Sequence, residues 1–349
     1  MVTTSRPGSA TGHGRTRDRR SWDTVRPPRR GQAFCLVAGL FALPFGVLAA
    51  LLRLFPSRED GPALLGSFIP YGLLATAVAL AFFTVATLRA RRRTALVLVA
   101  TATAVLLALQ LYWQAPRFLP DRRPVTTGPF EVVSLNIKAG GADPDQLLAT
   151  ATSADIVVLV ETTPLAAQAL ESRGWRQRFP YVAGDPLERG SGGAIYSRFP
   201  LRDPAPLPPT SFPMWAATAE VPEVGPVRVI AAHPCNPFCG QGRWAAEHDL
   251  LGAAIASSPG DLPLVVAGDF NAVDDHGPLL ALRRAGLSSA NDLAGAGWQP
   301  TYPADTGLPP LLPIDHVFVD DQLTALSVGR FSVAGTDHLG LRAELAGTR

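Results

Sequence analysis

Leu264-Val265-Val266-Ala267-Gly268-Asp269-Phe270-Asn271 is the stretch on which the reading of this chain turns. Four apolar residues closed by a glycine have the length and composition of a buried strand. The strand then delivers an aspartate, an apolar anchor and an asparagine. By the period of two, Asp269 and Asn271 face the same side. One can accept a proton or hold a water molecule, and the other can donate to an anionic oxygen. The plainer alternative is an Asx turn that merely closes the strand.

The pattern repeats outward from there. Residues 130–135 end in Ser134-Leu135-Asn136, 156–160 in Val160-Glu161, and 227–232 in Ala232-His233-Pro234. Residues 193–196 and 314–319 are further short apolar runs. Stretches 143–153, 164–173, 241–257 and 278–285 have helical spacing or caps, Asp143-Pro144 being an N-cap followed by proline at the first helical position. Strand and helix alternate without a fixed repeat, which predicts a layered α/β domain. Its strand ends converge on a crevice. The proline-rich stretch 204–213 reads as a loop.

The polar residues at those ends have a common chemistry. In Ile314-Asp315-His316-Val317 neighbours alternate faces, so Asp315 and His316 cannot both face one site. Thr336-Asp337-His338 follows a glycine turn and is less constrained. Asp315 is therefore paired with His338, a carboxylate–imidazole couple that fixes the tautomer and raises ring basicity. His316 is read as a structural histidine facing away. Glu161 is the better hard-oxygen ligand for Mg²⁺, which takes one or two carboxylates and keeps several waters. The alternative for Glu161 is a residue leading into the helix after Thr162-Thr163-Pro164. Carboxamides, carboxylates and histidines in one crevice suit divalent-metal phosphoester hydrolysis. His13 falls in the tail, Glu247 and His248 read as solvated helix positions, and His276 as a local turn residue.

The first third of the chain is a different object. Residues 1–30 are rich in Arg, Ser, Gly and Pro and read as a disordered basic tail. Residues 31–114 hold three apolar runs, at about 33–53, 64–88 and 94–113, each near the ~20 residues that span a bilayer. Arginines cluster before the first run and at Arg89–Arg93 between the second and third. The positive-inside rule puts both clusters in the cytoplasm and everything after a linker at 115–128 outside the cell. The expectation is a multi-pass protein of the cell membrane with an extracytoplasmic domain at 129–346. A cleaved signal peptide is the rival reading of the first run. The spans carry no intramembrane charge that would mark a transport path.

Charge follows the same division. Residues 1–124 carry 17 Lys and Arg against 5 Asp and Glu, a net of +12. Residues 125–349 carry 14 against 24, a net of −10. An acidic domain disfavours a dedicated polyanion-binding surface, although a metal could offset the local charge of a nuclease. Cys35 lies in the first span. Cys235 and Cys239 are four apart, and a small disulfide loop, free thiols and a metal site are all open, the last short of ligands.

Taken in order, Asn136, Glu161, His233, Gly268-Asp-Phe-Asn271, Asp315 and Asp337-His338 resemble the endonuclease/exonuclease/phosphatase (DNase I-like) superfamily over about residues 129–346. The resemblance implies a four-layer sandwich, two packed mixed sheets flanked by helices, here preceded by three transmembrane helices. It implies Mg²⁺ or Mn²⁺, with Asn136, Glu161 and Asp337 as metal residues. It implies catalytic roles for His233, Asp269, Asn271, Asp315 and His338, with water attacking phosphorus directly. Residues 191–197 resemble the family's strand before the catalytic His. Trp298, Thr301, Tyr302 and Pro303 resemble a loop near the site. The basic DNA-gripping loops and active-site tyrosine of the abasic-site enzymes have no match here.

The implied activity is that of a phosphodiesterase, nuclease or phosphatase on nucleic acid, a phospholipid head group or a small phosphoester. The lipid bilayer is the other expected partner, and no protein partner is identifiable. The competing reading is a catalytically inactive, membrane-attached binding module of the same fold.

Overall fold

The computed structural model describes residues 30–91, 93–121 and 123–348. The expected basic tail, Arg30 apart, lies outside the described residues, as do Arg92 and Arg122.

Four helices come first: α1 (Arg30–Leu54), α2 (Asp60–Gly66), α3 (Gly72–Arg89) and α4 (Thr94–Gln114). Three segments, Arg30–Leu54, Ile69–Arg89 and Thr94–Phe118, are long and apolar enough to cross a membrane. Phe34, Phe41, Leu74 and Leu98 stand exposed on their outer surfaces. Small residues set the spacing between α1 and α3, as in membrane bundles generally. A Cβ on Gly46 would come within 2.0 Å of Thr76 Oγ1. The buried Gln110 of α4 donates its Nε2–H to Gly46 O at 2.9 Å, tying α4 to α1 inside the bundle.

The remainder is a sandwich. Its strands are β1 (Phe130–Asn136), β2 (Ile156–Thr162), β3 (Tyr181–Asp185), β4 (Gly192–Ser197), β5 (Leu201–Pro206), β6 (Trp215–Val221), β7 (Gly225–Ala232), β8 (Leu264–Asp269), β9 (Ser288–Ser289), β10 (Asp315–Val319), β11 (Leu323–Phe331) and β12 (Gly340–Gly347). Six strands form one sheet in the order β11-β12-β1-β2-β4-β3, and six the other in the order β5-β6-β7-β8-β10-β9. The period of two assigns the faces. Val132, Val158, Ile195, Val229, Val265 and Val317 fill the space between the sheets. Their neighbours in sequence point outward. Val133, Val157 and Tyr196 pack under α5 (Pro144–Thr150), α6 (Pro164–Glu171) and α7 (Trp175–Arg178). Ile230, Val266 and Phe318 pack under α8 (Arg243–Ala256) and α9 (Gly277–Arg284). The result is four layers. One short helix, α10 (Ala290–Ala294), follows β9.

Two readings change. Part of the proline-rich stretch is the edge strand β5, where a missing N–H costs no ladder bond. Glu247 and His248 are buried, because their helix lies on the sheet with that face inward. Glu247 accepts hydrogen bonds from Ser211 N (2.8 Å), Ser211 Oγ (2.6 Å) and Cys235 N (2.7 Å).

The helical bundle is docked on the domain. Arg53 Nη1 lies 2.8 Å from Asp275 Oδ1, and Arg117 reaches Asp274 (3.3 Å) and Asp275 (3.2 Å). Arg283 pairs with Asp274 (2.7 Å) and Asp292 (2.5 Å). His276 accepts from Val273 N at Nδ1 and donates Nε2–H to Ala63 O at 2.8 Å, so the ring is bound in its neutral form. Burial pulls its pKa down to about 4 and that of neighbouring His248 to about 3. Both therefore bind protons more readily when unfolded. Their penalty is absent above the ordinary histidine value of ~6.5 and grows as pH falls below it. By pH 5 each is expected to cost on the order of 1–2 kcal/mol. A thermal-unfolding series of the detergent-solubilised chain from pH 7.5 to 5 checks this. His276→Gln should flatten the slope, and a flat wild-type profile contradicts the assignment.

Candidate active site

Strand register brings the polar residues together. β8 and β10 are antiparallel with Asp269 opposite Asp315, so both carboxylates project on one face. His316 is opposite Gly268 on the other face. It bonds Ala272 O at 2.8 Å and packs on Phe270 and Phe318. Gly268 has φ +148°, and a Cβ there would lie 1.9 Å from Ala232 O. That contact lets the end of β8 sit against the end of β7, which carries His233. On the other sheet, Asn136 ends β1, and a bulge between Val160 and Thr162 turns Glu161 (φ +60°) toward it. Strained backbone of this kind is stored where a side chain must be re-aimed.

Asp269 is the centre of the cluster and is 2 % exposed. Its Oδ1 accepts from Asn271 N (2.8 Å), and its Oδ2 accepts from Asn136 Nδ2 (3.1 Å). Oδ2 also lies 3.8 Å from His233 Nε2 and 3.7 Å from His338 Nε2. Those two gaps are too long for hydrogen bonds, and they leave two ring nitrogens and one carboxylate oxygen facing a common point. His338 Nδ1–H donates to Asp315 Oδ2 at 2.8 Å.

Electrostatics separates the two histidines. Burial alone would lower His338, but Asp315 and Asp269 outweigh it and raise the ring to about 10, so it is an imidazolium at neutral pH. His233 is also buried, stacked on Phe212 at 4.3 Å with Nδ1 unpartnered, and burial holds it below the ordinary value as a neutral ring. Burial, with Asp315 beside it, raises Asp269 above the usual carboxylate range.

Local contacts define three further expected site residues. β8 ends at Asp269, so the period of two does not reach Asn271, which has φ +47°. Its Nδ2 donates to Pro234 O at 3.0 Å, tying the His233 loop to the Asp269 loop. Asn136 donates from one nitrogen to both Asp269 and Glu161 Oε1 (2.9 Å), while its oxygen accepts from Lys138 N (2.9 Å). In this arrangement its nitrogen orients the two carboxylates, and its oxygen, accepting one hydrogen bond, keeps a lone pair. Asp337 faces Lys138 Nζ at 3.7 Å. Cys235 and Cys239 are free thiols, and burial pushes the Cys235 thiol up.

Some residues were missed. Lys138, the chain's sole lysine, stands beside the site with Asp305 at 2.6 Å. Its position two residues after Asn136 was the available signal. Phe212 against His233 has no local signature, since it arrives from a loop 21 positions earlier. Tyr302, by contrast, was expected in a loop near the site, and its ring lies 5.0 Å from that of His338.

The donor set fits a hard divalent cation. Glu161 and Asp269 are brought onto one amide nitrogen, and Asp315 Oδ1 is buried without a partner. Asp269, Asp315 and His338 also place ligand atoms within 4.8 Å of one another. There, the 2.8 Å bond from His338 to Asp315 commits both groups to each other, and the Glu161 carboxylate is the better hard-ion donor.

The sequence profile described as the endonuclease/exonuclease/phosphatase family matches residues 133–338. No curated protein sequence matches the chain. Among solved structures, an endonuclease/exonuclease/phosphatase from Bacteroides vulgatus is 18 % identical with a TM-score of 0.51, covering 63 % of this chain and 99 % of that one. D. rerio TDP2 complexed with a single-strand DNA product is 15 % identical with a TM-score of 0.52, covering 62 % and 99 %. The human Nocturnin catalytic domain with bound sulfate is 21 % identical with a TM-score of 0.50, covering 67 % and 99 %. At these identities the likeness is one of fold.

Proposed function

The chain belongs to the endonuclease/exonuclease/phosphatase family, and from that premise we propose that it is a membrane-anchored phosphoester hydrolase dependent on Mg²⁺ or Mn²⁺. The observation that carries the reading is Asp269, buried and held between two imidazoles with one oxygen facing both.

Asp269 takes a proton from the attacking water. Its raised proton affinity suits a general base. His338, kept charged by Asp315, donates from Nε2 to a nonbridging phosphate oxygen. Neutral His233 contacts a second such oxygen, and its stacking on Phe212 fixes the ring plane. Asn136 keeps Asp269 and Glu161 in register. The bond from water oxygen to phosphorus forms, the bond from phosphorus to the leaving oxygen breaks, that oxygen takes a proton from solvent, and Asp269 returns its own proton to solvent. Glu161 would hold the metal ion, which supplies charge stabilisation to the transferring group when bound. The arginines at Arg89, Arg91 and Arg93 favour a cytoplasmic link between the last two spans, and hence an extracytoplasmic domain.

The test is an assay of the purified full chain with Mg²⁺ or Mn²⁺ against DNA, RNA, sphingomyelin, inositol phosphates and a generic phosphodiester. Chelation is expected to abolish turnover. Glu161→Gln should weaken metal activation by at least roughly 10–100-fold, the loss seen even for groups that only support a ligand. A metal titration of activity measures it, and an unchanged midpoint contradicts the assignment of Glu161.

A further inference from the structure

We propose that the substrate phosphoester belongs to a lipid of the same bilayer, presented to the site from the membrane surface. The proposal rests on the hydrolase reading above and adds the source of the substrate.

Chain direction is the first argument. α1 ends, α3 begins and α4 ends on the same side of the bundle, and that side meets the domain. Arg53 and Arg117 meet Asp275 there, and Tyr71 Oη donates to Leu311 O at 2.7 Å. From Phe118 the chain passes down the second sheet, held at Leu293 O by Asp121 N, and at Asp320 O and Leu323 O by Arg123. It reaches Gly347 through Thr126 at the far end. β1 begins there and returns, climbing ~20 Å over its seven residues, so Asn136 ends near the membrane. β2 runs parallel to β1 and β8 parallel to β7. Asp269 is followed within six residues by Asp275, which is held by Arg53 and Arg117. The strand ends carrying Asn136, Glu161, His233 and Asp269 therefore all point toward the bilayer.

The second argument is the rim. The loop that places Tyr302 against His338 returns through Leu308 (72 % exposed) and Leu311 (46 %) to Tyr71, at the start of a span. Phe55 (73 %) and Phe68 (51 %) lie at the same ends of the spans. Phe238 (79 %) follows His233 in a turn that packs on the helix Asp60–Gly66. Exposed aromatic and aliphatic groups bordering a span occupy the membrane interface.

Charge is the third. The domain carries a net −10, and Lys138 beside the site is paired with Asp305 and Asp337. A polynucleotide needs a track of cations, whereas a head group needs one anion-accepting point. The bond broken is phosphorus to oxygen in the lipid, water supplies the new oxygen, and the apolar product stays in the membrane.

The experiment uses the full chain in phosphatidylcholine nanodiscs with Mg²⁺ or Mn²⁺. p-Nitrophenyl hexadecyl phosphate is placed in the disc, and p-nitrophenyl methyl phosphate or a single-stranded oligonucleotide in solution. The first two share one scissile bond and differ only in the anchor. The expected result is a kcat/KM at least about ten-fold higher for the anchored ester. Leu308→Asp with Leu311→Asp should erase that preference and leave the methyl ester rate unchanged. Equal rates for the two esters, or faster cleavage of the oligonucleotide, overturn the lipid assignment and leave the hydrolase reading standing. Cleavage of none of them with either metal overturns both.

Discussion

Asp269→Asn is expected to lower kcat by roughly 10²–10⁴-fold with little change in fold, since proton transfer by a positioned base is worth about that much. The substitution keeps the shape of the side chain and removes the proton acceptor. It also removes a charge that helps hold His338 protonated. The pH profile of wild type tests the same assignment. The base must be unprotonated, and burial beside Asp315 raises it, so the acid limb should lie above the ordinary carboxylate range. The donor must be protonated, so activity should persist until His338 loses its proton near pH 10. Asp315→Asn removes the largest raising influence on His338 and should move the alkaline limb downward. Single-turnover rates at saturating metal, measured on protein with an unchanged circular dichroism spectrum, decide the matter. An Asp269→Asn enzyme within about ten-fold of wild type rules out Asp269 as the base.

Arg117→Met is expected to have the largest effect on stability. Arg117 is 4 % exposed and sits between Asp274 and Asp275, and the Asp275 side chain is 1 % exposed. Removing one partner from a buried ion cluster leaves charge uncompensated, at a cost of about 3–5 kcal/mol. For a chain of this size that corresponds to a fall in Tm on the order of 10 °C. Arg117 also lies over the Trp298 ring at 5.4 Å, so the loop leading to Tyr302 should loosen as well. Thermal unfolding of the detergent-solubilised chain measures the first effect, and hydrogen exchange across residues 296–312 the second. A Tm change under about 2 °C would mean that Arg283 and Arg53 neutralise the two aspartates without help.

Much of the fold was legible because it rests on local periodicity. Apolar runs of spanning length marked the three long apolar helices, and short β-branched runs marked β1, β2, β7, β8 and β10. Strands such as β5 and β6 were not, because proline, alanine and threonine carry weak local preference and acquire strand geometry only through their ladder partners. The burial of Glu247 and His248 was likewise invisible, since the polar half of α8 is turned inward by packing alone.

For the site, the sequence by itself determined which residue types stand at strand ends, and it separated Asp315 from His316 by the alternation of faces. Tertiary structure decided what those residues do. Asn136 and Asn271 spend their amides on positioning, because the carboxylates and the Pro234 carbonyl that receive them come from distant segments. Asp269 becomes the centre because two sheets bring His233 and His338 to opposite sides of one oxygen. The direction in which the site opens depends on a linker whose composition says only that it is not helix or strand. Its path is set by hydrogen bonds to residues some 170 to 220 positions later in the chain. Periodicity is a property of neighbours along the chain, whereas a catalytic geometry is a property of neighbours in space.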